Sequence, residues 1–146
     1  MSSCAFCDLI KSNVYYKVYE DKFFLGFLDI NPLAEGHTLV IPKTHYRHVW
    51  ELPLSGSGSI GDYFKVVQRI AKVLNSKLEP KDPIYSMIMG YEIPHASIHL
   101  IPGVYRSGFG LSIGNYLTTK KAKTIDSDKA FAVIQKIGKI PQLFPN

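Results

Sequence analysis

The sequence predicts an α+β domain in which a mostly antiparallel sheet of five strands carries two helices. Five short apolar runs, each bounded by turn-forming residues, indicate the strands. Two stretches in which apolar residues recur at three- and four-residue intervals indicate the helices. Because three strands follow one another before the first helix, antiparallel pairing fits best, and we expect the helices to pack on one face of the sheet.

The first half of the chain supplies three strands and one helix. The runs VYE, FFLGFLDI and HTLVI predict strands between Lys17 and Ile41, separated by turns at residues 21–22 and 31–36. After a Gly/Ser loop, a helix is predicted from an N-cap at Asp62 to a stop before Pro80. The strands are therefore short and the helix is the longest element.

The second half supplies two further strands and a short helix. The runs IYSMIMG and PHASIHLIP, bounded by glycine or proline, are interpreted as central strands. Residues 104–123 lack periodicity and indicate an irregular excursion. A final helix is predicted from Asp128 to a C-cap at Gly138. The second half thus completes a sheet of five strands.

Length and composition indicate one domain over residues 1–146. A hydrophobic content of 46% and a charged content of 20% are typical of a globular protein. The sequence shows neither a secretory signal nor an apolar run long enough for a membrane span, so a cytoplasmic location without membrane partners is expected. The net charge of +5 is densest at Lys120, Lys121 and Lys123, which we interpret as a solvated loop. Nucleic acid is therefore not an expected partner.

One predicted strand carries a polar row on an otherwise apolar background. In PHASIHLIP, His95, Ser97 and His99 alternate with apolar residues and should share one face. Burying two imidazoles without partners is costly, so a functional site is favoured over satisfied histidines at a sheet edge. His37 and His45 lie in a second motif, GHTLVIPKTH. Two strand-end motifs therefore hold four of the five histidines.

These motifs resemble the histidine triad superfamily, whose hallmark is His-Φ-His-Φ-His-Φ-Φ with Φ apolar. The segments CAFCDLI, FLDINP, GHTLVIPKTH and PHASIHLIP match in the expected order between Cys4 and Pro102, with the loop and helix of 103–146 following. The resemblance implies a nucleotide-binding fold that pairs into a ten-stranded sheet in a homodimer. It also implies a parent activity of hydrolysis or transfer at a nucleotide α-phosphate.

The resemblance assigns the nucleotide-binding residues. Asp29 should bind the ribose hydroxyls of a purine nucleotide, because a carboxylate accepts two hydrogen bonds at once. His99 should contact phosphate oxygens, and His37 should orient the group at the nucleophile position. The base pocket should be lined by five apolar residues: Phe6, Leu9, Phe27, Ile30 and Leu39.

The chain departs from the family where the nucleophile is expected. The middle histidine of the family forms a nucleotidyl-histidine that water hydrolyses, but this position is Ser97. Serine needs a base to attack, and a phosphate ester lacks the labile P–N bond, so impaired turnover is predicted. The family's Gly-Gln is also replaced by Gly90-Tyr91. The sequence does not show whether the serine is natural or introduced.

The resemblance further implies a structural zinc ion. Cys4, Cys7, His45 and His95 compose a four-ligand set typical of closed zinc sites, with His48 competing with His45 as a ligand. A redox role for the thiols is disfavoured because no helix start is predicted after the pair.

Two functions remain open at this point. The leading hypothesis is an enzyme of the type that acts on dinucleoside polyphosphates or nucleoside phosphoramidates, impaired at Ser97. The alternative is a non-catalytic module that senses a nucleotide or binds a protein. Processing of adenylylated nucleic-acid ends has little support from the dispersed lysines. Both hypotheses require Asp29 to lie beside the row of residues 95, 97 and 99.

Overall fold

The computed structural model of the chain describes residues 4–90, 92–103, 116 and 124–146. Its elements, in chain order, are α1 (Ala5–Ser12), β1 (Lys17–Glu20), β2 (Phe24–Leu28), β3 (Thr38–Pro42), a 3₁₀ turn (Val49–Glu51), α2 (Ile60–Leu78), β4 (Ile84–Met89), β5 (Ser97–Pro102) and α3 (Ser127–Ile137). The strands form one antiparallel sheet in the order β1-β2-β3-β5-β4. The α+β class and the five-stranded sheet are confirmed.

Side-chain alternation gives the sheet two different faces. On one face, Phe24 and Val40 pack beneath α2 in the larger apolar cluster, where Tyr63 stacks on Phe24 with ring centroids 5.2 Å apart. On the other face, Leu39 lies opposite His99 in the register of β3 and β5. Since this second face holds the histidine, the functional site lies opposite α2.

The helix α1 was not predicted, and it changes the helix arrangement. It places Phe6 against Leu25, Phe27 and Leu39 on the face opposite α2. The expectation that helices occupy one face is therefore wrong. Eight residues are too few for a helix to be stable by itself, so packing of Phe6 on the sheet stabilises α1.

The other helix boundaries agree closely with the sequence. The N-cap of α2 is Ser59, three residues before the expected cap at Asp62, and the Ser59 hydroxyl accepts the Asp62 N–H. Helix α3 begins at Ser127, one residue before the expected start at Asp128, with Asp126 as its N-cap, and Gly138 is its C-cap as predicted. None of the described helices is long and apolar enough to cross a membrane. The excursion of 104–123, except residue 116, and the lysine cluster within it lie outside the described residues.

Candidate functional site

Two buried histidines from adjacent strands form a hydrogen-bonded pair. His37, immediately before β3, lies with its Nε2 2.9 Å from Nδ1 of His99 in β5. The Leu33 backbone N–H donates to Nδ1 of His37 at 3.0 Å. His37 must therefore carry its proton on Nε2 and donate it to His99, whose own proton then lies on Nε2. The pair has one defined tautomer, assigned from these hydrogen bonds.

Burial keeps His37 neutral. It lowers the pKa of His37 from 6.5 to about 4, and this effect exceeds the opposing attraction of the Asp29 carboxylate. His37 is therefore uncharged at neutral pH, in agreement with the tautomer. It acts on His99 as an orienting hydrogen-bond donor and adds no positive charge to the site.

Asp29 lies beside the histidine pair, directly after the end of β2. Its Oδ2 is 3.6 Å from Nε2 of His37 and 3.9 Å from Nδ1 of His99. Its Oδ1 accepts the Asn31 backbone N–H at 2.8 Å, and its own N–H donates to the His37 carbonyl at 2.8 Å. Asp29 therefore lies beside His99, one member of the row that both functional hypotheses place next to it.

Gly36 makes the turn that returns the chain to His37. Its φ of +85° is unfavourable for other residues, and a Cβ there would lie 2.2 Å from Cδ1 of Leu78. The positive φ therefore favours glycine, and the turn packs closely against Leu78 at the end of α2.

A tyrosine that the sequence did not indicate contacts both parts of this site. The Tyr116 hydroxyl donates to Oδ2 of Asp29, and its ring centroid lies 5.6 Å and 5.7 Å from those of His37 and His99. Burial and the Asp29 charge raise its pKa, so the phenol is protonated. No motif or period marks this residue in the sequence, because it lies in the aperiodic stretch.

An apolar cavity of about 750 Å³ adjoins Asp29. Its volume falls in the range of small-molecule sites. All five residues expected to line a base pocket lie in its wall: Phe6, Leu9, Phe27, Ile30 and Leu39. The sequence analysis missed further aromatic and aliphatic wall residues, namely Tyr15, Tyr16, Ile93, Tyr116 and Phe131. Tyr15, Tyr16 and Ile93 lie in loops and Phe131 lies in α3, whose approach to the sheet has no local signal.

Ser97 is the first residue of β5 and is 3% exposed. Its hydroxyl donates to the carbonyl of Met89 on β4 at 3.1 Å. The hydroxyl proton therefore points at a backbone acceptor and not at an imidazole. Within the described residues, Ser97 and His99 share a face of β5 without a hydrogen bond between them.

His95 separates from the row and joins the two cysteines. It precedes β5, which begins two residues later, and its Nδ1 lies 3.3 Å from Sγ of Cys4 and 3.6 Å from Sγ of Cys7. His45 places its Nδ1 3.3 Å from Sγ of Cys7. Sulfur and nitrogen ligands at tetrahedral angles on one zinc ion are about 3.5 Å apart. The four side chains thus have the spacing of a zinc site.

The surroundings of His95 also suit a metal ligand. Its Nε2 lies 2.8 Å from the Pro42 carbonyl, to which it donates, so the Nδ1 lone pair faces the thiols. His45, not His48, belongs to this cluster. Cys4 is the N-cap of α1, so a helix start does follow the first cysteine, contrary to the sequence analysis. Burial nevertheless raises the pKa of Cys7, which does not favour a reactive thiolate.

The second cluster of possible ligands, Asp29 with His37 and His99, fits a metal by distance only. A point about 2.0 Å from all three atoms exists, which matches zinc-ligand lengths. However, Nδ1 of His37 accepts a backbone N–H, so its Nε2 must keep the proton that a metal would displace. The hydrogen bonding therefore favours a histidine pair over a metal centre.

Comparison with known proteins agrees with this geometry. The HIT domain family matches residues 11–105. The chain belongs to the HIT family. A HIT-like protein of Borreliella burgdorferi is 38% identical over 127 residues, which cover 84% of this chain and 91% of that protein. The adenosine 5′-monophosphoramidase of Saccharomyces cerevisiae is 36% identical over 104 residues, which cover 69% of this chain and 63% of the yeast enzyme.

Solved structures of HIT proteins have the same fold as this chain. A Hit-like protein involved in cell-cycle regulation from Bartonella henselae superposes with a TM-score of 0.74 at 26% identity, covering 92% of this chain and 93% of that one. A zinc-bound histidine triad family protein from Mycobacterium smegmatis superposes with a TM-score of 0.67 at 25% identity, with the same coverage. The predicted family and fold are confirmed.

Proposed function

We propose that this HIT protein binds a purine nucleoside 5′-phosphate between the apolar cavity and the histidine pair. The observation that carries the proposal is the position of Asp29, which joins the cavity wall to His37 and His99. A base in the cavity would place its ribose at the carboxylate and its phosphate near His99. Nε2 of His99 carries the proton in the assigned tautomer and is the donor we assign to the phosphate.

The parent reaction that we propose is hydrolysis or transfer at the α-phosphate, with turnover limited by Ser97. The yeast monophosphoramidase supports a substrate of the phosphoramidate type, and a dinucleoside polyphosphate offers the same α-phosphate. The bond from Ser97 to the Met89 carbonyl supports impairment, because in the described part of the chain the hydroxyl proton is directed at a carbonyl and not at a base. The same bond favours the alternative, a nucleotide-sensing or protein-interaction module without catalysis.

We also propose that Cys4, Cys7, His45 and His95 hold a structural zinc ion. Their spacing and the Pro42 carbonyl behind His95 support this assignment. Such an ion would cross-link α1 to the sheet. With four protein ligands the coordination is closed, so the residues of the nucleotide site alone bind and orient the substrate. A reducing compartment such as the cytoplasm suits the two thiols.

Asp29→Asn is expected to weaken binding of adenosine monophosphate at least about 20-fold. The change removes the charge that strengthens hydrogen bonds to two ribose hydroxyls, each worth about 1.5–3 kcal/mol when the acceptor is ionised. Isothermal titration calorimetry on wild type and variant measures the effect.

Asp128→Asn is the matched control for this experiment. It removes the same charge from the exposed first turn of α3, and we expect binding within about twofold of wild type. Equal affinity of wild type and Asp29→Asn would contradict the proposed nucleotide site. Failure of wild type to bind any purine nucleotide would contradict it as well.

We propose that two chains pair through β4 to form a homodimer. β4 is a regular edge strand of six residues, and Ile88 on it is 44% exposed. The opposite edge, β1, is less suited to pairing, because the Glu20 carbonyl already accepts a hydrogen bond from Gln142. A long apolar edge is a template for strand addition.

Ile88→Glu is expected to convert the dimer into a monomer. The charge would be placed at the strand edge, where its desolvation opposes pairing. Light scattering coupled to gel filtration should give twice the 16.4 kDa chain mass for wild type and the single mass for the variant. Phe131→Glu, which changes an exposed aromatic residue on α3, should remain dimeric. A monomeric wild type would reject the interface.

A further inference from the structure

Both oxygens of the Asp29 carboxylate already have hydrogen-bond donors from the protein. The Asn31 N–H donates to Oδ1, and the Tyr116 hydroxyl donates to Oδ2. Asp29 is only 7% exposed in this arrangement. The Asn31 contact is local, since it lies two residues away, whereas Tyr116 is 87 residues distant in sequence. Only the tyrosine contact can be removed without changing the turn that holds Asp29.

Tyr116 occupies two positions that the proposed nucleotide would use. Its phenolic O–H contacts Asp29, where a ribose hydroxyl would bind, and its ring lies against the imidazoles of His37 and His99, near which the phosphate would lie. The same side chain forms part of the wall of the apolar cavity. A ribose hydroxyl and the Tyr116 hydroxyl would both donate to Oδ2 of Asp29. Because this oxygen is buried, the two donors compete for it.

We propose that Tyr116 is a built-in competitor of the nucleotide, which must withdraw from Asp29 before the ribose can bind. This inference rests on the proposed nucleotide site and adds a residue that sets its affinity. The observed dissociation constant is then the intrinsic constant divided by the fraction of molecules in which Tyr116 has withdrawn. A hydrogen bond to an ionised, buried carboxylate is strong enough to keep that fraction near one-tenth.

Tyr116→Phe is therefore expected to bind adenosine monophosphate about tenfold more tightly than wild type. The variant keeps the ring and removes only the competing hydroxyl. The gain should lie mainly in the association rate constant, since a larger fraction of molecules is open when the ligand arrives. Titration calorimetry gives the affinity, and stopped-flow fluorescence gives the rate. Tyr116→Ala should bind at least as tightly as Tyr116→Phe.

Tyr46→Phe is the matched control, because it removes a phenolic hydroxyl on the segment before the 3₁₀ turn, outside the cavity wall. Its affinity should stay within about twofold of wild type.

If wild type binds adenosine monophosphate and Tyr116→Phe binds equally or more weakly, the competition is refuted while the nucleotide site stands. If Tyr116→Phe binds and wild type does not, the competition is supported in its strongest form. If wild type and both Tyr116 variants all fail to bind, the nucleotide site is refuted and the competition with it.

Discussion

Ser97→His is expected to raise hydrolysis of adenosine 5′-phosphoramidate at least about a thousandfold over the wild-type rate. The imidazole would attack the α-phosphorus, the bond to the leaving amine would break, and water would then cleave the labile P–N bond of the nucleotidyl-histidine. Removal of a nucleophile from a covalent hydrolase costs about a millionfold in rate, so restoration leaves room for imperfect placement. Release of adenosine monophosphate measures the rate.

The larger side chain has to fit a position that is 3% exposed. Overpacking of this kind costs about 1–3 kcal/mol of stability, and thermal melting shows whether the variant remains folded. Ser86→His on β4 is the matched control, because Ser86 lies opposite Leu100 on the other face of the sheet. It should leave the rate unchanged.

Two outcomes would contradict this account of Ser97. A fast wild-type enzyme that loses its activity in Ser97→Ala would show that the serine itself reacts. A folded Ser97→His variant that binds adenosine monophosphate without hydrolysing the phosphoramidate would instead identify a binding module, which is the alternative function.

Removal of zinc by a chelator is expected to lower the melting temperature by about 10 °C. A ligand present at a thousand times its dissociation constant adds about 4 kcal/mol of stability, and 1 kcal/mol corresponds to about 2–4 °C in a domain of this size. Differential scanning calorimetry, with metal content measured on the same samples, tests this expectation. Re-addition of zinc should restore the original melting temperature.

Variants of His45 and His48 separate the two candidate ligands. His45→Asn should lose zinc and the response to chelator, because Nδ1 of His45 faces Sγ of Cys7. His48→Asn should retain both, since His48 caps the 3₁₀ turn and asparagine is also a good cap. A wild-type protein that contains no zinc, or one that keeps its melting temperature in chelator, would remove the structural role of the metal.

Local patterns in the sequence were sufficient for most of the fold. The alternation in PHASIHLIP placed Ser97 and His99 on one face, and the stop before Pro80 and the C-cap at Gly138 predicted two helix ends. These features depend on neighbours within a few residues, so they can be read without coordinates. The helix α1 could not be predicted in this way, because its stability comes from Phe6 packing on a distant strand.

For the candidate sites as well, the sequence indicated some features and the folded structure was needed for others. Most residues that compose them were indicated by the sequence, because polar groups such as His37, His95 and Asp29 stood at strand ends in motifs that resemble the histidine triad superfamily, whereas Tyr116 was missed. Their partners were not indicated. The division of His95 and His99 between a thiol cluster and a histidine pair depends on where β5 begins relative to β3 and α1.

The sequence by itself determined the five strands, the helices α2 and α3 and most residues of the polar clusters, through periodicity and through the cost of burying polar side chains. The tertiary structure alone decided three hydrogen bonds. The Ser97 hydroxyl donates to the Met89 carbonyl, the Leu33 N–H donates to His37 and sets its tautomer, and the Tyr116 hydroxyl donates to Asp29. Each joins groups from separate elements or turns, and hydrogen bonds of this kind depend on distances and angles that only the folded chain fixes.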